Sequence, residues 1–584
     1  MHLIKFNLLT VAFVFIFLSN KAQVMVKDIE TGSAGSYPKN LTYMNEFMYF
    51  SALNSASGRE IWKTDGTDAG TILIKDIYPG TSSSGPDLLF NFNNTLFFKA
   101  TDSTHGVELW KSDGTPSGTV MVKDINIGLG SSYIDKFTKI NDVLFFSADD
   151  GINGQELWKS DGTESGTVMI KDIKPGYLSS TSDLFVNVNG TLFFIANDGT
   201  NGKELWKSDG TNAGTVMVKD IKAGSGNSNI TEFIQINGDL YFTAEDGING
   251  YELWKSDGTE AGTNIVKDIN PGASSSSPFY FYYYNSTLFF VANDGINGNE
   301  LWKSDGTLGG TVMVKDINSG TGNSNIRDFI DVNSTLFFIA NNGTNEVELW
   351  KSDGTNAGTV MVKDINPGSL SSNPSFLINV NGALFFKATD GSNGYELWKS
   401  NGTEASTMMV KDINPGPSSS SLDYFTAVND TLFFSASDGS NGSELWKSNG
   451  TEAGTVMLKD IQEGASGSNP ELLSNINGIL YFVADEYING IELWKYGTVS
   501  TFGVNNSDKL VDLKVFPNPS SGQFYLDFVN NQKNQHLEVY NMTGQMILQQ
   551  QNSNEINLTN SPKGIYLVKT YNGVKICTQK IVIQ

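Results

Sequence analysis

The ten tryptophans of this chain are spaced without a single slip. They stand at Trp62, Trp110, Trp158, Trp206, Trp254, Trp302, Trp350, Trp398, Trp446 and Trp494, and every interval is 48 residues. Each lies in one motif, written Glu204-Leu205-Trp206 then Asp209-Gly210-Thr211 in the copy at 204–221, which recurs letter for letter at 348–365. A period kept with no insertion says that every copy occupies an equivalent place, because unequal surroundings would let loop lengths drift. Residues that repeat are therefore read as architecture. Residues that break the repeat are where function is sought.

Four strand signals follow one another within a period. TLFFIA (191–196) is a continuous apolar run, as expected for a strand covered on both faces. NDGTNG (197–202) turns the chain into KELWKS (203–208), and the loop DGTNAG (209–214) leads into TVMVKDI (215–221). After a Gly/Ser/Asn-rich loop, TEFIQIN (231–237) ends at an Asn-Gly hairpin. No stretch holds a 3.6-residue apolar period with caps, so helices should be few. Four short strands in 48 residues is the size of a β-propeller blade, and too long for a leucine-rich repeat.

Leu205 and Trp206 are adjacent in a strand and point to opposite faces. Both can be large only where both faces of the sheet are covered. Burying an indole removes about 150–250 Å² from water, worth at most roughly 5 kcal/mol. One such anchor per interface would explain ten tryptophans in ten copies. The expected fold is all-β: a β-propeller of ten 48-residue four-stranded blades over 24–496, followed by a small Ig-like β-sandwich.

The phase of the repeat bears on closure. VMVKDI (24–29) has the third-strand pattern with nothing of its own unit before it. The last copy has ILYFVAD (479–485) and IELWKY (491–496) but no VMVKDI after them. Joined, the two halves complete a tenth blade. This favours one ring over two five-bladed rings or an open solenoid, which would need polar caps. Rings usually have 4–8 blades, so ten would leave a wide central channel.

The two ends read as address labels. Residues 1–23 carry Lys5 and then a mostly apolar stretch, Phe6 to Leu18, too short to cross about 30 Å of hydrocarbon but suited to a signal peptide. Cleavage is expected near Ala22 or Gln23. No cysteine follows to take a lipid, and no later segment is apolar enough to span a membrane in the mature chain. Residues 497–513 read as a linker. In 514–584, strand-like runs alternate with Pro-Asn-Pro, Thr-Gly and Asn-Gly turns. The lone cysteine, Cys577, excludes an intramolecular disulfide and reads as a small buried hydrophobe in a terminal strand.

That tail holds Phe516-Pro517-Asn518-Pro519, then Gly522, then Asn541-Met542-Thr543-Gly544-Gln545, then Gly564-Ile565-Tyr566. On these motifs it resembles the type A C-terminal sorting domain of the type IX secretion system of Bacteroidetes. The resemblance implies passage through the periplasm, recognition by the outer-membrane translocon and sorting machinery, and removal of the tail before release or surface attachment. The repeat resembles the ELWxxDGT family of bacterial exported proteins, which brings no activity with it.

Charge narrows the partners. There are 63 acidic and 39 basic residues, a net charge of −24. Nucleic-acid binding needs cations to displace phosphate counterions, so this balance argues against it, and against docking on an anionic membrane. Outside the signal segment the histidines are His105 and His536, and neither sits beside a motif serine. No Cys/His cluster suggests zinc and no glycine-rich phosphate loop opens a helix. Paired carboxylates for glycoside hydrolysis stay open among so many acids.

Three features remain. DGxNGxE, for example Asp150-Gly151 to Glu156, offers oxygen ligands for Ca²⁺, but its spacing is not that of an EF-hand, and hairpin-turn chemistry is the preferred reading. Asn401 and Asn449 replace the aspartate of Asp-Gly-Thr without loss of period. PFYFYYYN (278–285) aligns with SDLFVNVN (182–189) and breaks it most clearly. Tyr280, Tyr282 and Tyr284 replace apolar residues, and Phe279 and Tyr283 replace polar ones. Rings on the formerly polar face would suit sugar stacking; the plainer expectation is an outer strand packed on its neighbour. Glu346, in place of a turn glycine, is a lesser anomaly. The expected function is a secreted or cell-surface binding or adhesion scaffold for an extracellular glycan or protein. The alternatives are an extracellular polysaccharide-acting enzyme and a purely structural surface protein.

Overall fold

The computed structural model describes residues 22–180, 183–368, 370–497, 513–528, 536–541, 546–551, 555–571 and 576–584. The expected signal segment up to residue 21 and the 542–545 turn with Gly544 lie outside these residues, as do the side chains of His536 and Cys577. The chain divides into two compact units, one up to Val499 and one from Ser500. Gly497 still belongs to a strand and Leu513 begins one, so the connecting segment is slightly shorter than 497–513.

The first unit is ten four-stranded antiparallel sheets. We number them in chain order: sheet 1 spans 39–75, sheet 2 87–123, and so on by 48 to sheet 10, which starts at 471. Among the described residues, the sole helix is a three-residue 3-10 turn, Glu404–Ser406. In sheet 4 the strands run Asp183–Val188, Thr191–Asn197, Lys203–Ser208 and Val216–Lys219, in spatial order. The TEFIQIN segment therefore opens a sheet instead of ending one. Thr231–Ile236 is the first strand of sheet 5 because Asn237-Gly238 hairpins it to the strand that follows, whereas the long loop before it crosses between sheets.

Sheet 10 is built from both ends of the unit. Glu471–Ile476, Ile479–Glu486 and Gly490–Gly497 supply three strands, and Ala22–Met25 supplies the fourth. Met25 pairs with Trp494 as Met217 pairs with Trp206 in sheet 4.

Alternation along each second strand sends side chains into two different cores. Leu192, Phe194 and Ala196 join Trp206 against Phe145 and Leu157 of sheet 3. Phe193 and Ile195 join Leu205 against Leu240, Phe242 and Trp254 of sheet 5. Each of the ten tryptophans sits in a different cluster of this kind, and all are 2–7% exposed. Trp494 anchors sheet 10 on sheet 9. Trp62, Val26, Val483 and Leu493 anchor sheet 10 on sheet 1, so the contacts run in a cycle. The first strands of successive sheets approach one another.

The polar letters of the motif stitch the same joints. The Lys207 ammonium donates to the Gly258 carbonyl at 2.8 Å and that of Lys219 to the Thr263 carbonyl at 2.7 Å, both in the next sheet. Lys495 and Lys27 repeat this from sheet 10 to Gly66 and Asp68 of sheet 1. Asp209 accepts from the backbone and hydroxyl of Thr211 at 2.8 and 2.7 Å, fixing the loop. Asn401 and Asn449 keep that acceptor oxygen toward Thr403 and Thr451, which is why the period tolerates them.

The glutamate of Glu-Leu-Trp is fully buried in all ten sheets. Glu204 accepts from the Ile221 N–H at 2.8 Å and the Ser228 N–H at 3.1 Å, pinning both ends of the connector to the next sheet. Burial outweighs these donors and pushes its carboxyl up to about 7, with hydrogen bonds from Ile221 and Ser228 opposing. Glu156 and Glu252 behave alike.

Turn glycines lie under the connectors. A Cβ on Gly202, at φ +71°, would stand 2.0 Å from the Gly226 carbonyl oxygen. Glu346 occupies the corresponding place in sheet 7 at φ 56°, a left-handed conformation that disfavours side chains.

The second unit has a three-stranded and a four-stranded antiparallel sheet that share one core, including Phe524, Val539, Tyr566 and Ile581.

Two outcomes follow. A carboxyl whose folded pKa lies above its unfolded value stabilises fully below the unfolded pKa and loses that contribution as pH rises through the folded one. The melting temperature should therefore fall between pH 5 and 8. Glu204→Gln, which sets an amide against two N–H donors, should cost about 1–3 kcal/mol and flatten the slope; calorimetry at several pH values checks both. Glu346→Gly should raise stability by about 1 kcal/mol through relief of the left-handed strain, read by denaturant titration.

Candidate functional site

Positions that differ from sheet to sheet lie at the start of the third strands, as at Arg59, Lys203 and Tyr251, and in several columns of the first strands. Each first strand carries a register shift, between Asp183 and Val186 in sheet 4 and between Phe279 and Tyr282 in sheet 6. Such a bulge puts two residues of one strand opposite one of its partner. The bulged residue has φ near +50 to +63° in sheets 1–10, at Asn40, Leu88, Lys136, Leu184, Glu232, Tyr280, Asp328, Phe376, Tyr424 and Leu472. No two neighbours among them are the same residue. The first strand is also an edge strand, so these side chains leave the sheet where its partners end.

The bulge overturns the simple alternation expected for PFYFYYYN. Phe279, Tyr282 and Tyr284 pack on the core shared with sheet 7, and Phe281 on the core shared with sheet 5. Tyr280 and Tyr283 are left exposed. Phe279 is thus not on an open face, and the segment is the first, edge strand of its sheet, packed on its neighbours. The Tyr282 hydroxyl donates to Asp331 at 2.7 Å across to sheet 7; burial, with that bond adding to it, pushes its pKa up to about 12. Asn237 donates to the Tyr283 hydroxyl at 3.2 Å from sheet 5.

The other sequence candidates sit as follows. In DGxNGxE, Asp198 accepts from the N–H groups of Thr200 and Asn201, each at 2.8 Å, and from the Asn201 amide at 2.7 Å. Those bonds are the turn itself, and the glutamate of the element is the buried Glu204, spent on the connector. His105 stands where sheet 4 has Asn201. Its Nδ1 lies 3.0 Å from both Asp102 oxygens, and its Nε2 lies 3.8 Å from Asp124. The Thr104 hydroxyl meets the same Nδ1 at 3.0 Å. A nucleophile relay needs carboxylate and hydroxyl on opposite ring nitrogens, so this group is a loop brace. A groove of about 340 Å³ between sheets 4 and 5 is lined by Phe193, Lys207, Asp209 and Asp257, all residues of the repeated motif.

In the tail, Asn518 bridges to the last strand, donating to the Lys580 carbonyl at 2.7 Å and accepting from the Val582 N–H at 2.9 Å. Pro517 and Pro519 flank it. Gly522 has φ +113°, and a Cβ there would stand 2.7 Å from the Thr559 Cα. Gly564 begins the strand Gly564–Tyr571. Tyr566 is buried with its hydroxyl donating to the Pro562 carbonyl at 2.7 Å. The motif residues in view therefore fix turns and strand ends of this unit.

The sequence reading missed the bulge column, because a left-handed residue that is not glycine leaves no local mark. Its signal was there, as one of several columns of the 48-residue alignment where large, charged and amide residues interchange.

Residues 514–584 match the family described as the secretion system C-terminal sorting domain. No curated protein sequence matches the chain significantly. Among solved structures, the chain is similar to a puromycin hydrolase at 10% identity and a TM-score of 0.29, covering 62% of this chain and 59% of that one. It spans less than two thirds of that protein. PorZ, a bacterial surface component of the type-IX secretion system of Porphyromonas gingivalis, aligns at 12% identity over 93% of this chain and 86% of its own, with a TM-score of 0.23. The extracellular domain of the putative one component system BT4673 from B. thetaiotaomicron aligns at 11% identity over 94% and 81%, with a TM-score of 0.29. Among the described residues no helix is long and apolar enough to cross a membrane. With its type IX sorting domain at the C-terminus, the protein is exported to the cell surface or the extracellular space.

Proposed function

We propose that the first unit is a single closed ten-bladed β-propeller of the ELWxxDGT type, with the first strands innermost, and that the second is an Ig-like sandwich. The propeller serves as a non-catalytic binding scaffold displayed by, or released from, the cell. The cycle of ten indole-anchored interfaces supports the ring. One observation carries the function: on the first strands the bulged side chains, and those three residues further on, differ between otherwise equal sheets, and none of them is buried. The rings, amides and carboxylates among them hold a ligand by stacking and hydrogen bonds. A repeated shell with a varied inner wall is the arrangement of a scaffold whose specificity is set at few positions.

Removing residues 22–29 takes Val26 and Ile29 out of the core shared with sheet 1 and Met25 off the core shared with sheet 9. The melting temperature should drop by several degrees and recover on adding the peptide 22–29. An unchanged melting curve would sink the closed ring. For function, the mature chain is incubated with extracellular polysaccharides while retention and reducing-end release are both followed. Retention without release is expected; release of reducing ends would make the protein an enzyme.

A further inference from the structure

We infer that the first strands of sheets 6 to 10 form a binding face for a neutral polysaccharide. This rests on the scaffold reading above and adds the ligand's chemistry and place. Two columns run across these strands. The bulge column reads Tyr280, Asp328, Phe376, Tyr424 and Leu472, and its four ring or aliphatic members are 41–47% exposed. Three residues further on, the second column reads Tyr283, Asp331, Asn379 and Asn475, apart from Ala427 in sheet 9; all four are exposed. The first column offers apolar faces and the second polar groups, of which Asp331 accepts from Tyr282, Asn379 from the Gly382 N–H, and Asn475 from the Gly478 N–H while donating to the Ala427 carbonyl. A sugar chain presents the same pair of surfaces, C–H faces on its rings and hydroxyls at their rims. In sheets 1 to 5 the bulge column is instead Asn40, Leu88, Lys136, Leu184 and Glu232, with no ring.

The rings are held in place before any ligand arrives. Phe279 lies 4.9 Å behind Tyr280, and Phe425 lies 5.6 Å from Phe376. Bulky residues sit at φ 56°, 56° and 54° at Tyr280, Phe376 and Tyr424. Backbone strain of that sort persists only where the surroundings impose it, and it aims the rings off the strand edge. Rigid, half-exposed rings lose little freedom on stacking. The charges on the arc select against anions. Asp328, Asp331, Asp423 and Glu471 are exposed, against Arg327, which faces Asp328 at 3.9 Å, and Lys387, whose ammonium lies 5.5 Å from the centre of the Phe376 ring. A uronate or sulfated chain would be repelled, as would a nucleic acid. A basic peptide would meet the acids but has no use for the ring column.

Native-gel electrophoresis of the mature chain in gels containing dissolved β-glucan, xylan, galactomannan, polygalacturonate or polylysine tests this. Tyr280, Phe376 and Tyr424 are changed to Asn singly and together. Asn occupies the same bulge at Asn40 with φ 58°, so the fold tolerates it. Leu184→Asn, on the opposite arc, is the control. The expected result is retention by at least one neutral polysaccharide. The triple variant should bind it at least tenfold more weakly with an unchanged melting temperature, and the control should bind normally. Equal retention of wild type and triple variant would overturn the arc and leave the scaffold reading standing. Retention by polygalacturonate or polylysine alone, or by none of the five, would overturn the neutral-polysaccharide assignment.

Discussion

Everything in the first unit depends on covering both faces of every sheet. A four-stranded sheet whose second and third strands are apolar on both sides has no stable life alone. Leu205 and Trp206 leave one strand in opposite directions and end in different cores. Each sheet is thus obliged to have two neighbours, and a linear array would leave two faces bare. The chain resolves this by giving sheet 10 a strand from each of its ends, after which sheet 10 meets both sheet 9 and sheet 1. Identity between copies is the consequence, since each interface must accept the same knob on one side and supply the same hole on the other.

Polar groups complete the joints that the indoles begin. The buried glutamate takes the N–H groups at the two ends of a connector, and the lysines reach carbonyls of the next sheet. Leaving those N–H groups unpaired in a buried joint would cost about as much as the burial gained from several methylenes. The carboxylate is a compromise: it satisfies the loop but gives up water, and its raised pKa records that.

The first strands have a different task. An edge strand with open N–H and C=O groups invites pairing with another chain, and a bulge blunts that tendency. Here the same bulge turns one side chain per sheet away from the core into the open, so the device that protects the edge also supplies a surface. Since the bulged residue makes no repeated contact, it is free to differ, from Lys136 to Tyr280 to Leu472.

Read alone, the sequence settled that the first unit is all-β and built of ten sheets of four strands each. That follows from local patterning and a strict period: the 48-residue spacing, the TLFFIA and ELW runs, the Asp-Gly and Asn-Gly turns. It also marked the sorting tail through a few motifs whose residues, such as Asn518 and Tyr566, fix that unit's strand ends. Three things waited for the tertiary structure. TEFIQIN opens a sheet because a tight Asn-Gly hairpin outranks sequence order as a pairing rule. Phe279 is packed and Tyr280 open because a one-residue bulge reverses the alternation beyond it. The glutamate of Glu-Leu-Trp, which the pattern places merely beside the anchors, is the clamp of each connector, because its partners lie 17 and 24 residues away and are brought to it only by the crossing between sheets. Local periodicity is written in neighbouring residues; register shifts and long-range polar contacts depend on where distant segments finally rest.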